Sequence, residues 1–292
     1  MWQAYCPGIG RYRADLMSDG WERFIMSDTA DTRLAVLIDA DNVSSGFIRP
    51  MIEEIARYGN PTIKRIYGDW TKPQLGSWKN VLLDFAFQPV QQFGYTTGKN
   101  STDSAMIIDA MDILYSEKVD GFCIVSSDSD FTRLATRLRE AGKIVFGIGE
   151  KKTPTSFIAA CDRFIYLEIL GARPEEEPVV EKRGARLSKS GKEHKEEKIS
   201  GDTARSILPI DDDTIDLIAS SISDLADDNG WAFLGAVGSL ILKKRPSFDS
   251  RNYGFSKLSQ MIRTIDGIQS QERINEKNPQ VTLVYIRNIE DE

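Results

Sequence analysis

The 292-residue chain has one histidine, three cysteines and no long apolar run. Ser/His/Asp triads, Cys/His pairs and His-rich zinc sites all need a well-placed imidazole. The single His194 sits in "SKSGKEHKEEK", a stretch with almost nothing to bury, which argues against that whole group of mechanisms. Cys6, Cys123 and Cys161 supply neither a close pair for zinc nor an even set for disulfides. This fits a reducing interior and makes the cytoplasm the expected compartment. No apolar stretch approaches the roughly 18 residues of a membrane span, and no basic-then-apolar leader opens the chain, so no membrane partner is expected.

What the chain does have is carboxylates. It carries 44 acids against 37 bases, for a net charge of −7. That balance opposes attachment to nucleic acid by bulk charge and leaves a local basic surface as the means of holding it. With 41% hydrophobic residues, the length suits one large or two modest domains.

Residues 1–32 show no sustained period and read as an extension, and Met17 or Met26 would serve equally well as a natural start. From Arg33 to about Leu170, β-rich runs ("LAVLID", "TIKRIYG", "PVQQFG", "GFCIVSS", "KIVFGIG", "RFIYLE") alternate with helical patterns around 46–58, 75–86, 102–117, 130–141 and 154–161. Such alternation predicts parallel βαβ units and a three-layer, Rossmann-like α/β domain over 33–170. Residues 171–207, rich in Pro, Gly and mixed charge, read as a flexible linker. Over 208–289, helical patterns near 212–228, 232–243 and 255–264 precede the β-rich "QVTLVYI", the outline of a small winged-helix-like domain.

In an open parallel sheet the ligand crevice lies beyond the carboxyl ends of the strands. "LAVLIDADN" delivers Asp39, Asp41 and Asn42 to that edge, "GFCIVSSDSDF" delivers Asp128 and Asp130, and the segment after "PVQQFG" brings Asp103 toward it. Unpaired clustered carboxylates raise one another's pKa and destabilise a fold. A divalent cation relieves the repulsion, and an oxygen-only donor set suits Mg²⁺ or Mn²⁺, ions matched to phosphate.

Each acid also has a plainer reading. Ser127 or Asp128 can cap the helix that follows, with Asp130 in its first turn. Asp41 and Asn42 can cap the helix near 46–58 or close an Asx turn. Asp103, after Ser101 and Thr102, can be first-turn decoration, yet it also begins the stripe Asp103, Ile107, Ala110, Met111, Leu114, expected to face the core, whereas Asp109 and Asp112 lie off it. Asp39, which continues an apolar strand, is hardest to explain as decoration. The coincidence of several acid-tipped ends carries the argument.

"LIDADNV", "KNSTDSAMIIDAMDILY" and "IVSSDSDFTRLATRLREAGKIVFGIG" together resemble the NYN domain of the PIN-like nuclease superfamily over about residues 33–170. The resemblance implies a PIN-like fold and a metal-dependent ribonuclease site at Asp39, Asp103, Asp128 and Asp130, supported by Asn42. It matches Asp109 to a family acid despite its place off the stripe, and it leaves Asp41 without an assigned role. "YGFSKLSQMI", preceded by "KKRPSFDSRN", is similar to the OST-HTH/LOTUS domain, which implies an RNA- or protein-binding module. Lys243, Lys244, Arg245, Arg251 and Lys257 gather there and read either as a phosphate-docking patch or as a solvated basic turn. Lys99 and Arg133 read either as guides for the RNA backbone or as surface charge.

The expected activity is RNA phosphodiester hydrolysis by water activated at one or two Mg²⁺ or Mn²⁺ ions, with single-stranded RNA as the expected partner. There are two rivals. The D-x-D of Asp39 and Asp41 also fits a haloacid-dehalogenase-type phosphatase, although no convincing Lys precedes the later acid pair. A non-catalytic RNA-binding scaffold, its acids holding a structural ion, is the other.

Overall fold

A computed structural model describes residues 32–93, 101–171, 208–275 and 278–289. The extension up to Asp31, the linker from Ala172, Cys6, His194 and Lys99 lie outside the described residues.

The chain builds a six-stranded parallel sheet in the order β3-β2-β1-β4-β5-β6. Its strands are β1 (Arg33–Asp39), β2 (Asn60–Gly68), β3 (Gln88–Gln91), β4 (Gly121–Val125), β5 (Ile144–Gly149) and β6 (Arg163–Tyr166). Leu34 to Ile38 and all of β4 are buried, as expected of central strands covered on both faces. One face packs the cluster containing Leu37, Met106, Ala110, Phe122 and Phe131. The other packs Val36, Ile38, Met51, Trp78 and Ile148. The helices that close these layers are α1 (Ile48–Ile55), α2 (Lys79–Leu82), α3 (Ser101–Tyr115), α4 (Thr132–Glu140), α5 (Thr155–Ala160) and α6 (Leu167–Leu170).

Two departures from the pattern have local causes. The helix expected over 75–86 is a 3₁₀ turn, Pro73–Trp78, followed by the four-residue α2, and the chain leaves helical geometry at Ala86, whose φ is 51°. "RFIYLE" ends as a strand at Tyr166, and its last residues open α6 instead.

The C-terminal part consists of α7 (Asp212–Leu225), β7 (Ala232–Phe233), α8 (Leu234–Lys244), α9 (Leu258–Ile262), β8 (Ile268–Asn275) and β9 (Asn278–Asn288). Its three strands form an antiparallel sheet in the order β7-β9-β8 around a core of Ile218, Val237, Ile241, Met261 and Ile286. The strand β8 adds to the single β-rich segment expected here. Its "IQSQERIN" is mostly polar, and the long hairpin with β9 makes it a strand despite its weak β-propensity.

The two parts touch. Phe164 on the edge strand β6 donates its backbone N–H to the Pro246 carbonyl at 2.9 Å. Arg251 grips both oxygens of Glu54 at 2.7 and 2.9 Å, and Asp249 bridges Arg251 to Arg163 at 2.8 and 3.2 Å. Among the described residues, no helix is long and apolar enough to cross a membrane.

Candidate functional site

Strand order reverses between β1 and β4, because β1 leads outward to β2 and β3 while β4 leads to β5 and β6. Connections leave this point on opposite faces, and a crevice opens above the carboxyl ends. Register pairs Ile38 with Val125, so Asp39 and Ser126 emerge side by side at the crevice floor.

Asp39 is 1% exposed and surrounded by donors. The Asp41 N–H reaches Oδ1 at 3.1 Å, while the Asn42 amide and the Ser126 hydroxyl, the latter at 3.1 Å, both donate to Oδ2. Burial pushes the Asp39 carboxyl up, and these donors hold back part of the rise. Ser126 does double duty, since its oxygen also accepts the Asp128 N–H at 3.1 Å. It thereby ties the ends of β1 and β4 together.

Asp128 uses Oδ1 to accept the Asp130 N–H at 3.0 Å, capping the 3₁₀ turn Ser129–Phe131 that leads into α4. The capping reading and the site reading are therefore compatible in one side chain. Asp103 lies in the first turn of α3 and is buried. The buried face of that helix runs through Asp103, Met106, Ala110, Ile113 and Leu114, rotated slightly from the expected stripe, with Ile107 and Met111 at its margin. One carboxylate oxygen from each of Asp103, Asp128 and Asp130 lies within 4.8 Å of the others. An all-carboxylate group, with no imidazole or thiolate in it, fits Mg²⁺ or Mn²⁺.

Of the four acids expected to converge, three thus come within coordination reach of one another, and Asp39 stands behind them in a net of N–H and O–H donors. Its charge still acts on the group. The Asp103 carboxyl is pushed up to about 6, first by burial and then by repulsion from Asp39, Asp128, Asp130 and Asp41. Between pH 3.8 and about 6 the folded chain keeps a proton on Asp103 that the unfolded chain has already lost. Stability therefore falls as pH rises through that window, by about 2–3 kcal/mol once complete. Chemical unfolding in EDTA at pH 5 and pH 7.5 should show this fall. The Asp103→Asn variant should flatten it, and millimolar Mn²⁺ should restore stability at the higher pH.

Asp41 pairs with Lys72 at 3.3 Å and receives the Thr102 hydroxyl at 3.4 Å, linking the β1 turn to the start of α3. Asp109 is held by Arg65 at 2.8 Å and the Tyr67 hydroxyl at 2.9 Å, a clamp between α3 and β2. Arg133 is exposed in the first turn of α4. At the end of β5, a Cβ on Gly149 would lie 2.6 Å from the Ser126 carbonyl, so the close approach of backbone beside the crevice requires glycine there. Sequence reasoning passed over Ser126 and Lys72. A serine at the start of "SSDSD" looks like a helix cap, and its bond to Asp39 spans 87 residues.

The basic residues of the C-terminal part are divided. Lys243 and Lys257 are exposed. Lys244 pairs with Asp224 at 2.7 Å, Arg245 donates to the Thr214 hydroxyl at 2.9 Å, and Arg251 is committed to Glu54 and Asp249.

Comparison with protein-family models matches residues 33–168 to the NYN domain and residues 207–279 to the OST-HTH/LOTUS domain. Among curated proteins none matched the chain. Among solved structures, a protein of unknown function from Vibrio parahaemolyticus is 20% identical, with 47% of this chain and 93% of that one covered and a TM-score of 0.40. A solution structure of residues 175–257 of a Chromobacterium violaceum protein is 42% identical over 26% of this chain and 80% of that one, with a TM-score of 0.23. An uncharacterized Nitrosomonas europaea protein is 24% identical over 38% and 95%, with a TM-score of 0.25. The chain therefore carries an NYN domain, a PIN-like nuclease fold, followed by an OST-HTH/LOTUS domain, a module of the RNA-binding type.

Proposed function

We propose that the protein is a metal-dependent ribonuclease acting at the crevice between β1 and β4. The observation that carries this reading is the approach of the Asp103, Asp128 and Asp130 carboxylates to within 4.8 Å at the carboxyl edge of the sheet. A divalent cation held there, Mg²⁺ or Mn²⁺, would supply Lewis-acid activation of water and neutralise charge on the phosphodiester. Asp39 orders the β1 turn through Asp41 and Asn42 and adds negative charge behind the three ligands. Ser126 fixes the spacing between Asp39 and Asp128. Arg133, exposed in the first turn of α4, would meet a phosphate of the substrate strand. The cytoplasm remains the compartment expected for such an enzyme.

The phosphatase alternative needs Asp39 as an open nucleophile. With 1% exposure and both oxygens accepting hydrogen bonds, Asp39 is poorly suited to attack. The test is incubation of labelled, unstructured single-stranded RNA with purified protein and Mn²⁺ or Mg²⁺, beside EDTA and an Asp39→Asn/Asp128→Asn variant. Metal-dependent cutting lost in the variant supports the ribonuclease. Phosphate release from small esters with intact RNA supports a phosphatase, and binding without cutting by either protein supports a scaffold.

Ser126→Ala separates positioning from ligation. It should lower turnover by roughly 10–100-fold with little effect on the RNA KM, the scale seen when a group orienting a metal ligand is lost. Steady-state kinetics with Mn²⁺ would check this, and unchanged turnover would remove Ser126 from the account.

A further inference from the structure

The outward face of the β7-β9-β8 sheet has no part in the core or in the contact with Glu54. Alternation along β9 sends Ile286 into the core and leaves Leu283, Tyr285 and Arg287 on the other side. Register places Phe233 and Gln271 across from Tyr285, Gln269 across from Arg287, and Arg273 across from Leu283. Trp231 precedes β7.

The groups on this face form a ladder. The Arg273 guanidinium lies 4.4 Å from the Tyr285 ring centroid and 5.1 Å from that of Trp231, and Arg287 lies 4.8 Å from Trp231. Phe233 continues the row, 5.8 Å from Tyr285. Both guanidiniums donate to neutral partners on the face itself, Arg273 to the Gln271 side-chain oxygen at 3.2 Å and Arg287 to that of Gln269 at 2.6 Å. Among the described residues neither forms an ion pair with a carboxylate. In a chain of net charge −7, two arginines with unneutralised charge set among three rings are a local exception. Of the two acids in the Trp231 turn, Asp227 accepts the N–H groups of Asn229 and Trp231, and Asp228 is exposed and, among the described residues, forms no ion pair with either arginine. Glu272, on the opposite side of β8 from Arg273, pairs with Arg263.

We propose that this sheet face binds unpaired RNA, with bases stacking on the Trp231, Phe233 and Tyr285 rings and phosphates meeting Arg273 and Arg287. The inference deepens the ribonuclease reading and rests on it, since it names where the C-terminal domain holds the substrate and in what form. Charge complementarity and ring chemistry select the occupant. Splayed bases have π-faces to offer a row of aromatic and guanidinium planes, whereas a duplex keeps its bases stacked inside. Glutamine amides between the arginines add donors and acceptors for base edges. Of the basic residues near α8 and α9, three are already engaged inside the protein, which leaves this face as the better docking ground.

The test uses the full chain in EDTA, so that RNA is bound and not cut, with anisotropy of a fluorescent 20-nucleotide single strand and of the matching duplex. Wild type should bind the single strand at least about tenfold more tightly than the duplex. Arg273→Gln/Arg287→Gln should weaken single-strand binding by roughly 10–100-fold and make it less salt-dependent. Arg273→Lys/Arg287→Lys, which keeps the charge and loses the planar stack, should fall between the two. Lys243→Gln/Lys257→Gln should stay within about threefold of wild type. A cooperative thermal transition in each variant shows that loss of binding is not loss of folding. Wild-type affinity in both arginine variants, or loss in the lysine variant alone, overturns the assignment of this face while leaving RNA binding intact. A preference for the duplex also overturns it. Absence of RNA binding by wild type overturns the proposal together with the RNA-binding role of the domain, and RNA cleavage with Mn²⁺, measured alongside, then decides whether the ribonuclease reading survives.

Discussion

Asp103→Asn should lose RNA cleavage by on the order of 10³-fold and, in EDTA at pH 7.5, be more stable than wild type. The two effects share one cause. In the wild type, Asp103 is buried next to Asp39, Asp128, Asp130 and Asp41, and its carboxyl is pushed up to about 6, so keeping it ionised at neutral pH costs folding energy. An amide of the same shape removes that charge and relieves its neighbours. The same change takes one of three anionic oxygens from the proposed cation, and several kcal/mol of transition-state stabilisation corresponds to about three decades in rate. Residues that destabilise the resting fold while serving catalysis are expected to behave in this opposed way. Single-turnover cleavage with Mn²⁺ and urea unfolding in EDTA measure the two halves. A variant that loses activity and stability together would mean that Asp103 is a structural acid.

The second large effect concerns Arg251. Glu54 is 3% exposed and Asp249 8%, and both depend on this guanidinium. Burial alone would push the Glu54 and Asp249 carboxyls up, and the bonds from Arg251 override it, holding both below their ordinary ranges. Arg163 adds to the Asp249 side, with its guanidinium also 5.0 Å above the Tyr58 ring, and Tyr58 donates its hydroxyl to Glu54 at 2.8 Å. Arg251→Ala leaves two buried acids short of a cation and should cost about 3 kcal/mol. Carboxyls with lowered pKa contribute stability that is present above their unfolded values near 4 and is lost as pH falls through the folded values. The gap between wild type and variant should therefore be full at pH 7 and should shrink as the pH is lowered below about 4. Denaturant midpoints across pH would show it. A gap that is constant with pH would mean that Arg251 acts through packing and not through these charges.

These two residues also mark how far position can be read from the sequence. The place of Asp103 at the sheet edge was legible because it is local and topological. A buried helix face that starts with an acid, and parallel strands that end in acids, must meet at one edge of the sheet. That of Arg251 was not, because in the chain it is one more base within "KKRPSFDSRN", and its partner Glu54 lies 197 residues away. Nothing in the periodicity of α1 reveals that Glu54 is buried against the other domain. Ser126 failed for a related reason, since a hydroxyl next to acids at a helix start has a common local use as a cap. The sheet face around Trp231 stayed hidden because β8 is polar on most of its length. Its arginines acquire meaning only when register sets them over aromatic rings on neighbouring strands.

The central claim is that Asp103, Asp128 and Asp130 hold a divalent cation at the β1–β4 crevice, backed by Asp39. The most direct measurement is anomalous diffraction from crystals soaked in Mn²⁺, which locates the ion without reference to activity. The account predicts a peak within about 2.0–2.4 Å of carboxylate oxygens of at least two of the three acids, lost in Asp103→Asn/Asp128→Asn crystals. A well-diffracting soaked crystal without a peak there, from protein that still cuts RNA in Mn²⁺, would contradict it.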